Sequence, residues 1–223
     1  MKNSLLRPQN KIKRLQWAKN HSSWTSREWT KVLWSDESKF QIFGSRRRVF
    51  VRRRQGERAN MECIVPTVKH GGDSVMVWGC FGNNTTGDLK LIEGVLNKEG
   101  FNQILEENAL LCPLWAALSG EILSSMMIMI QNIHQNCVEN IWSQGVLSQM
   151  KFPDLNPIEL LWNKLYRKVR ESKTTSKIHL WELLQKSWNE ISQEILIKLT
   201  ERMPCLCRAV IKAKGGFFEG NKI

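Results

Sequence analysis

The nine residues "SVMVWGCFG", Ser74 to Gly82, constrain the fold more than any other stretch of this sequence. They are entered through Gly71-Gly72 and left through Gly82-Asn83-Asn84, so turn signals close both ends of an apolar run too short for a helix. A run of this kind reads as a strand. Three other segments offer partners. "KVLWSDESKF" has an apolar run from Val32 to Trp34 that ends in Asp36 and Glu37. "RRRVFVRRRQGER" alternates weakly and stops at Gln55-Gly56, and "GDLKLIEG" offers Leu89, Leu91 and Ile92 as buried positions.

After Gly94 the period changes. "NKEGFNQILEENALL" places Phe101, Ile104, Leu105 and Leu110 at helical spacing. In "FPDLNPIELLWNKLYRKVR", Asn156 suits an N-cap and Pro157 the first helical position, and Ile158, Leu161, Leu165 and Val169 form an apolar stripe. "SKIHLWELLQKSWNEI" follows as a second helix with Leu180, Leu183, Leu184 and Trp188 inward, and Pro204 and Gly215-Gly216 are expected to end the organised region. Residues 1–30 are basic and helix-prone, with two patches separated by His21-Ser22-Ser23, and read as a linker. Strands followed by helices predict a mixed α/β domain around a central sheet.

With 223 residues the chain has ample length to bury a core, and ten tryptophans against one tyrosine predict an aromatic-rich one. The formal charge of +12 points to a polyanion, most simply nucleic acid. Six cysteines form no C-x-x-C pair, and no secretory leader opens the sequence, so reduced thiols in an intracellular protein are expected. The longest apolar run, Ala109 to Leu118, is broken by Cys112-Pro113 and is too short to cross a bilayer.

Three groups of residues could carry chemistry. Asp36, at the polar end of a buried strand, could hold a metal in a cleft; position alone favours instead a strand-end Asp turning with Ser35 or Ser38. Glu159 lies three residues after Asn156, where a carboxylate bonds back to the cap, and capping alone would account for it. Arg46, Arg47, Arg48, Arg52, Arg53, Arg54 and Arg58 fall within thirteen positions opposed only by Glu57, a cluster suited to a phosphate backbone and silent about base sequence.

Taken together, "VLWSDESKF", "HGGDSVMVWGCFG", "FPDLNPIELLWNKL" and "MPCLCRAVIKAKGG" resemble the Tc1/mariner transposases, in particular the Tc1-like branch, from about Arg7 to Gly216. The resemblance implies an RNase H-like DDE catalytic domain over residues 31–216, after the 1–30 linker and before a short tail, 217–223. It implies two Asp and one Glu holding Mg2+ or Mn2+ for cleavage and joining of DNA ends. By motif Asp36 matches the first carboxylate and Glu159 the third. DNA as partner, a homodimer and a nuclear location are further implications. The family's paired helix-turn-helix domains would precede residue 1.

The second carboxylate should lie in a segment resembling "FQQDNDPKHTSK", yet no Asp occurs between Asp88 and Asp154. Codons for Asp-Asn-Asp-Pro-Lys-His-Thr-Ser-Lys, read one base late, can spell Ile-Met-Ile-Gln-Asn-Ile-His-Gln-Asn, which is Ile128 to Asn136. Nine successive matches indicate a frameshifted segment within residues 109–151, with the lost Asp at Ile128 and the middle strand–helix unit disrupted. A plain apolar strand over Ser125 to Ile130 would explain the hydrophobicity but not the shifted match. The expectation is a transposase fragment that binds DNA and lacks one metal ligand of three. The alternatives are a domesticated DNA-binding module without chemistry, or an active nuclease completed by Glu121 or Glu139.

Overall fold

The structure, a computed structural model, describes residues 6–42, 74–94, 96–105, 107, 127–130, 146–149, 152–172 and 174–218. The arginine-rich segment 46–58, the weakly alternating strand expected there, and Glu121 and Glu139 lie outside these residues. Among the described residues six strands form one mixed sheet. β1 (Val32–Gln41) runs antiparallel to β2 (Ser74–Gly82), from Trp34 opposite Phe81 to Gln41 opposite Ser74. β3 (Thr85–Thr86) and β4 (Lys90–Ile92) share the other edge of β2. On its far side β1 takes β5 (Met127–Ile130) in parallel, and β5 takes β6 (Val146–Gln149) in parallel. The turn from β2 to β3 uses Asn83 and Asn84 with φ of 46° and 59°, left-handed values that asparagine tolerates and a two-residue hairpin requires.

β1 is longer than its apolar run because it sits inside the sheet. Val32 to Ser35 pair with β5, Trp34 and Ser35 are bonded on both sides, and pairing to β2 carries the strand through polar residues to Gln41. One face of the strand, Val32, Trp34, Asp36, Ser38 and Phe40, is buried throughout. It is covered by α4 (Ile158–Ser172), with Phe40 stacked on Tyr166 at 4.3 Å and edge-on to Trp162 at 6.2 Å. The α4 stripe is buried as the spacing predicts: Ile158, Leu161, Leu165 and Val169, joined by Trp162. α5 (Lys177–Asn189) packs on α4 and β2 through Leu180, Leu184 and Trp188, with Leu183 partly buried.

α1 (Pro8–Asn20) and α2 (Ser26–Thr30) put Trp17, Ala18 and Trp29 into the same core, where Trp29 stacks on Trp34 at 5.8 Å. α2 is opened by a capping box between Thr25 and Glu28. α3 (Lys98–Leu105) contributes Phe101 to the buried set. Beyond α5, α6 (Gln193–Glu201) and α7 (Met203–Lys212) pack against α2 and, for α7, against α1. Pro204, expected to end the organised region, instead opens α7. A proline in the first turn forfeits only an N–H that has no partner within the helix, so the same residue that stops one helix can start the next. The chain does turn at Gly215, with φ of 78°.

Candidate active site

Asp36 is 5% exposed in the middle of β1, with strand continuing five residues beyond it. It is therefore no strand-end turn residue. Its Oδ2 accepts a hydrogen bond of 3.2 Å from the indole Nε1 of Trp162, one turn beyond Glu159 on α4. Opposite Asp36 in the ladder stands Gly79. A Cβ there would lie 2.8 Å from Trp162 and 3.0 Å from Trp188. The missing side chain is what lets the two indoles, stacked at 5.1 Å, lie against the sheet. Trp162 reaches Asp36 from that stack, and Trp188 donates to the Gly87 carbonyl at 2.7 Å. Gly79→Ala should destabilise the protein by about 1–3 kcal/mol through overpacking, read by urea unfolding.

Glu159 reaches the same place from α4. A short 3-10 turn, Pro153–Leu155, leads into Asn156 and Pro157, and Asn156 does two things there. Its Oδ1 accepts from the Ile158 N–H at 3.3 Å, and its Nδ2 donates to the Ser35 carbonyl at 3.3 Å, pinning the start of α4 to the residue before Asp36. The Asn156 N–H is spent on the Pro153 carbonyl at 3.0 Å, not on Glu159, so Glu159 makes no capping box. Its carboxyl is half-buried at the helix start with no hydrogen-bonding partner among the described residues.

The electrostatics follow from this placement. Burial pushes the Asp36 carboxyl up to about 7, the neighbouring Glu37 charge adding to it and the Glu37 N–H and Trp162 indole opposing. Glu159 is pushed up to about 7 by burial and then by the Asp36 charge. Glu37, on the opposite side of the strand, also rises to about 7 through burial. Asp36 and Glu159 thus repel each other when both are ionised. Beside them a cavity of about 260 Å³ is lined by Asn156, Glu159, Asn163, Arg202 and Leu206.

A second buried charge, absent from the sequence reading, supports the turn before Glu159. Arg14 of α1 is fully buried and pairs with Asp154 in the 3-10 turn. Its Nε donates to the Gly215 carbonyl at 2.9 Å, and its guanidinium lies over the rings of Phe152 and Phe217 at 5.6 and 5.9 Å. The only signal in the sequence was an arginine at helical spacing from Trp17 and Ala18.

β5 places Ile128 opposite Leu33, three positions before Asp36 along β1. Among the described residues no group of three or more His, Cys, Asp or Glu comes together as a metal site. The pair Asp36 and Glu159 is all oxygen, the donor type that hard divalent cations such as Mg2+ and Mn2+ prefer, and a cation would relieve their repulsion. The two residues fit such an ion.

The strand order β3-β2-β1-β5-β6, with β2 antiparallel to β1 and with β5 and β6 parallel to it, is that of the RNase H-like class of domain. No family model matches the chain. It is 36% identical over 222 residues to the Tcb1 transposable-element transposase of Caenorhabditis briggsae, covering 96% of this chain and 80% of that one. It is 34% identical over 220 residues to the Tc1 transposase of Caenorhabditis elegans, with the same coverage. The chain belongs to the Tc1/mariner transposase family. The fold matches a pre-cleavage Mos1 transpososome with a TM-score of 0.74 at 14% identity over 96% of this chain, and spans 65% of the Mos1 chain. It matches the Mos1 catalytic domain solved with Raltegravir and Mg with a TM-score of 0.70 at 13% identity, covering all of that chain. At such identities the likeness shows the fold alone.

Proposed function

We propose that this chain is a Tc1-like transposase catalytic domain that binds DNA, descends from an enzyme of DNA cleavage, integration and transposition, and has lost the chemistry. The observation that carries the reading is the meeting of Asp36 and Glu159, brought together by Asn156 and Trp162 and mutually repelling. These two would hold Mg2+ or Mn2+, and such ions supply activation of water or a 3′-hydroxyl and stabilisation of the leaving oxygen. The chain's own part is to keep one Asp36 oxygen on the Trp162 indole and to fix the start of the Glu159 helix against β1. Mos1 catalytic domains solved with Mg and with Mn support divalent ions as the cofactor, and its transpososome and its paired-end complex with a transposon end support DNA as partner. A homodimer and a nuclear location complete the proposal.

Loss of activity follows from the second carboxylate. No Asp lies between Asp88 and Asp154, and the codon alignment puts the lost one at Ile128. The shifted frame also explains the register: pairing follows the apolar run, and "MIMI" is what the new frame offers β1. Purified protein with Mg2+ or Mn2+ should leave DNA carrying Tc1-type ends unnicked. Ile128→Asp alone should not restore cutting, because three residues of strand hold position 128 about 10 Å short of Asp36. Cleavage by the unaltered protein that disappears with Asp36→Ala would overturn the reading and show that another carboxylate completes the site.

A further inference from the structure

Exposed cations are unevenly spread over the helices. α4, α5 and α6 carry glutamates among their lysines and arginines, and Lys168 of α4 is ion-paired to Glu190. α1 and α7 differ: neither contains a single Asp or Glu, and the chain from 202 to 218 has none either. These two helices pack on each other. Lys11, Lys13 and Lys19 of α1, Arg208 and Lys212 of α7, and Lys214 just beyond are all exposed, and none has an ion-pair partner among the described residues. The chain just past α7 lies against α1, since a Cβ on Gly215 would fall 2.0 Å from the Lys11 carbonyl oxygen. Lys11 and Lys214 are thereby held at one end of the pair. Arg14 then ties that same junction, through Gly215 and Asp154, to the turn that delivers Glu159.

We infer that the α1–α7 ridge is a surface for the phosphate backbone of duplex DNA, in addition to any contribution of the arginine-rich segment 46–58. It rests on the reading of DNA as the partner and adds where the duplex lies: along two packed helices with no acidic residue to repel phosphate. Such contacts release counterions, and each contributes about 0.9 to the slope of log affinity against log salt. They carry no base specificity, so a random-sequence duplex is a sufficient probe.

The test is a salt titration of binding to a short labelled duplex, with the full chain and a variant combining Lys11→Gln, Lys19→Gln, Lys212→Gln and Lys214→Asn. Asparagine is chosen at 214 because that residue has φ of 49°. A second variant neutralises Arg52, Arg53 and Arg54 alone. The ridge variant should keep the wild-type circular dichroism and melting temperature, lower the salt slope by about 3 to 4, and weaken binding at least tenfold. Unchanged slope and affinity in a folded ridge variant would overturn this inference and leave DNA binding intact. A wild-type chain that ignores duplex DNA, or that binds only anionic vesicles, would overturn both this surface and the proposed partner. Loss confined to the Arg52–Arg54 variant would assign all of the binding to the other segment.

Discussion

Asp36→Asn should stabilise the protein by about 2 kcal/mol at pH 8 and by much less at pH 4. The folded Asp36 carboxyl titrates near 7, against an ordinary value of 3.8. Below pH 4 it is protonated in the folded and unfolded chain alike, and nothing is gained by replacing it. As pH rises from about 4 to about 7 the unfolded chain releases this proton while the folded chain keeps it, so stability falls through that window and stays low above it. A shift of this size corresponds to a ceiling of about 4 kcal/mol. Glu37 and Glu159 share the strain and ionise in the same range, so one substitution relieves only part of it. Asparagine keeps an oxygen for the Trp162 indole, which leaves the packing unchanged. Urea unfolding of both proteins across pH should therefore give two curves that diverge upward from pH 4. Mn2+ at pH 8 should raise the stability of the wild type and leave Asp36→Asn unmoved, since only the ionised pair binds the ion. A variant advantage that is the same at both pH values would mean that Asp36 is not desolvated as described.

The part of this molecule that was legible in its sequence is the part written in apolar periodicity. "SVMVWGCFG" is β2, the Ile158–Val169 stripe is the buried face of α4, and the strands-then-helices order is that of the mixed sheet and its cover. Asp36 and Glu159 were legible as candidates through their motifs, while position alone left each with an ordinary role. The structure removes both ordinary roles, because β1 runs on past Asp36 and the Asn156 N–H is already bonded elsewhere. What periodicity cannot show is long-range complementarity. Gly79 looks like any strand glycine until two indoles arrive from α4 and α5. Arg14, one basic residue in a segment read as a linker, is buried by an aspartate 140 positions away and by the chain's penultimate described residues. Pro204 was read as a stop because sequence does not reveal that the preceding helix has already ended at Glu201.

Asp154→Ala should cost about 2–3 kcal/mol, at the low edge of the 3–5 kcal/mol typical for breaking a buried pair. The asymmetry of the pair sets that figure. Arg14 is 0% exposed and Asp154 32%, so removing the aspartate strands the charge that cannot reach water, while the Gly215 carbonyl still holds part of it. Arg14→Lys should lose a similar amount, because an ammonium cannot bond Asp154 and Gly215 at once while lying between two rings. Lys168→Ala is the control: it removes an ion pair whose members are 36% and 48% exposed, and should cost far less than Asp154→Ala. The two kinds of pair also differ in what lies behind them. Asp154 stands in the turn that ends at Asn156 and aims Glu159, so Asp154→Ala should also shrink the stabilisation by Mn2+ at pH 8, which Lys168→Ala should leave whole. If Asp154→Ala costs no more than the control, the carbonyls and rings around Arg14 would suffice to hold it, and α1 would be fastened to the sheet by packing alone.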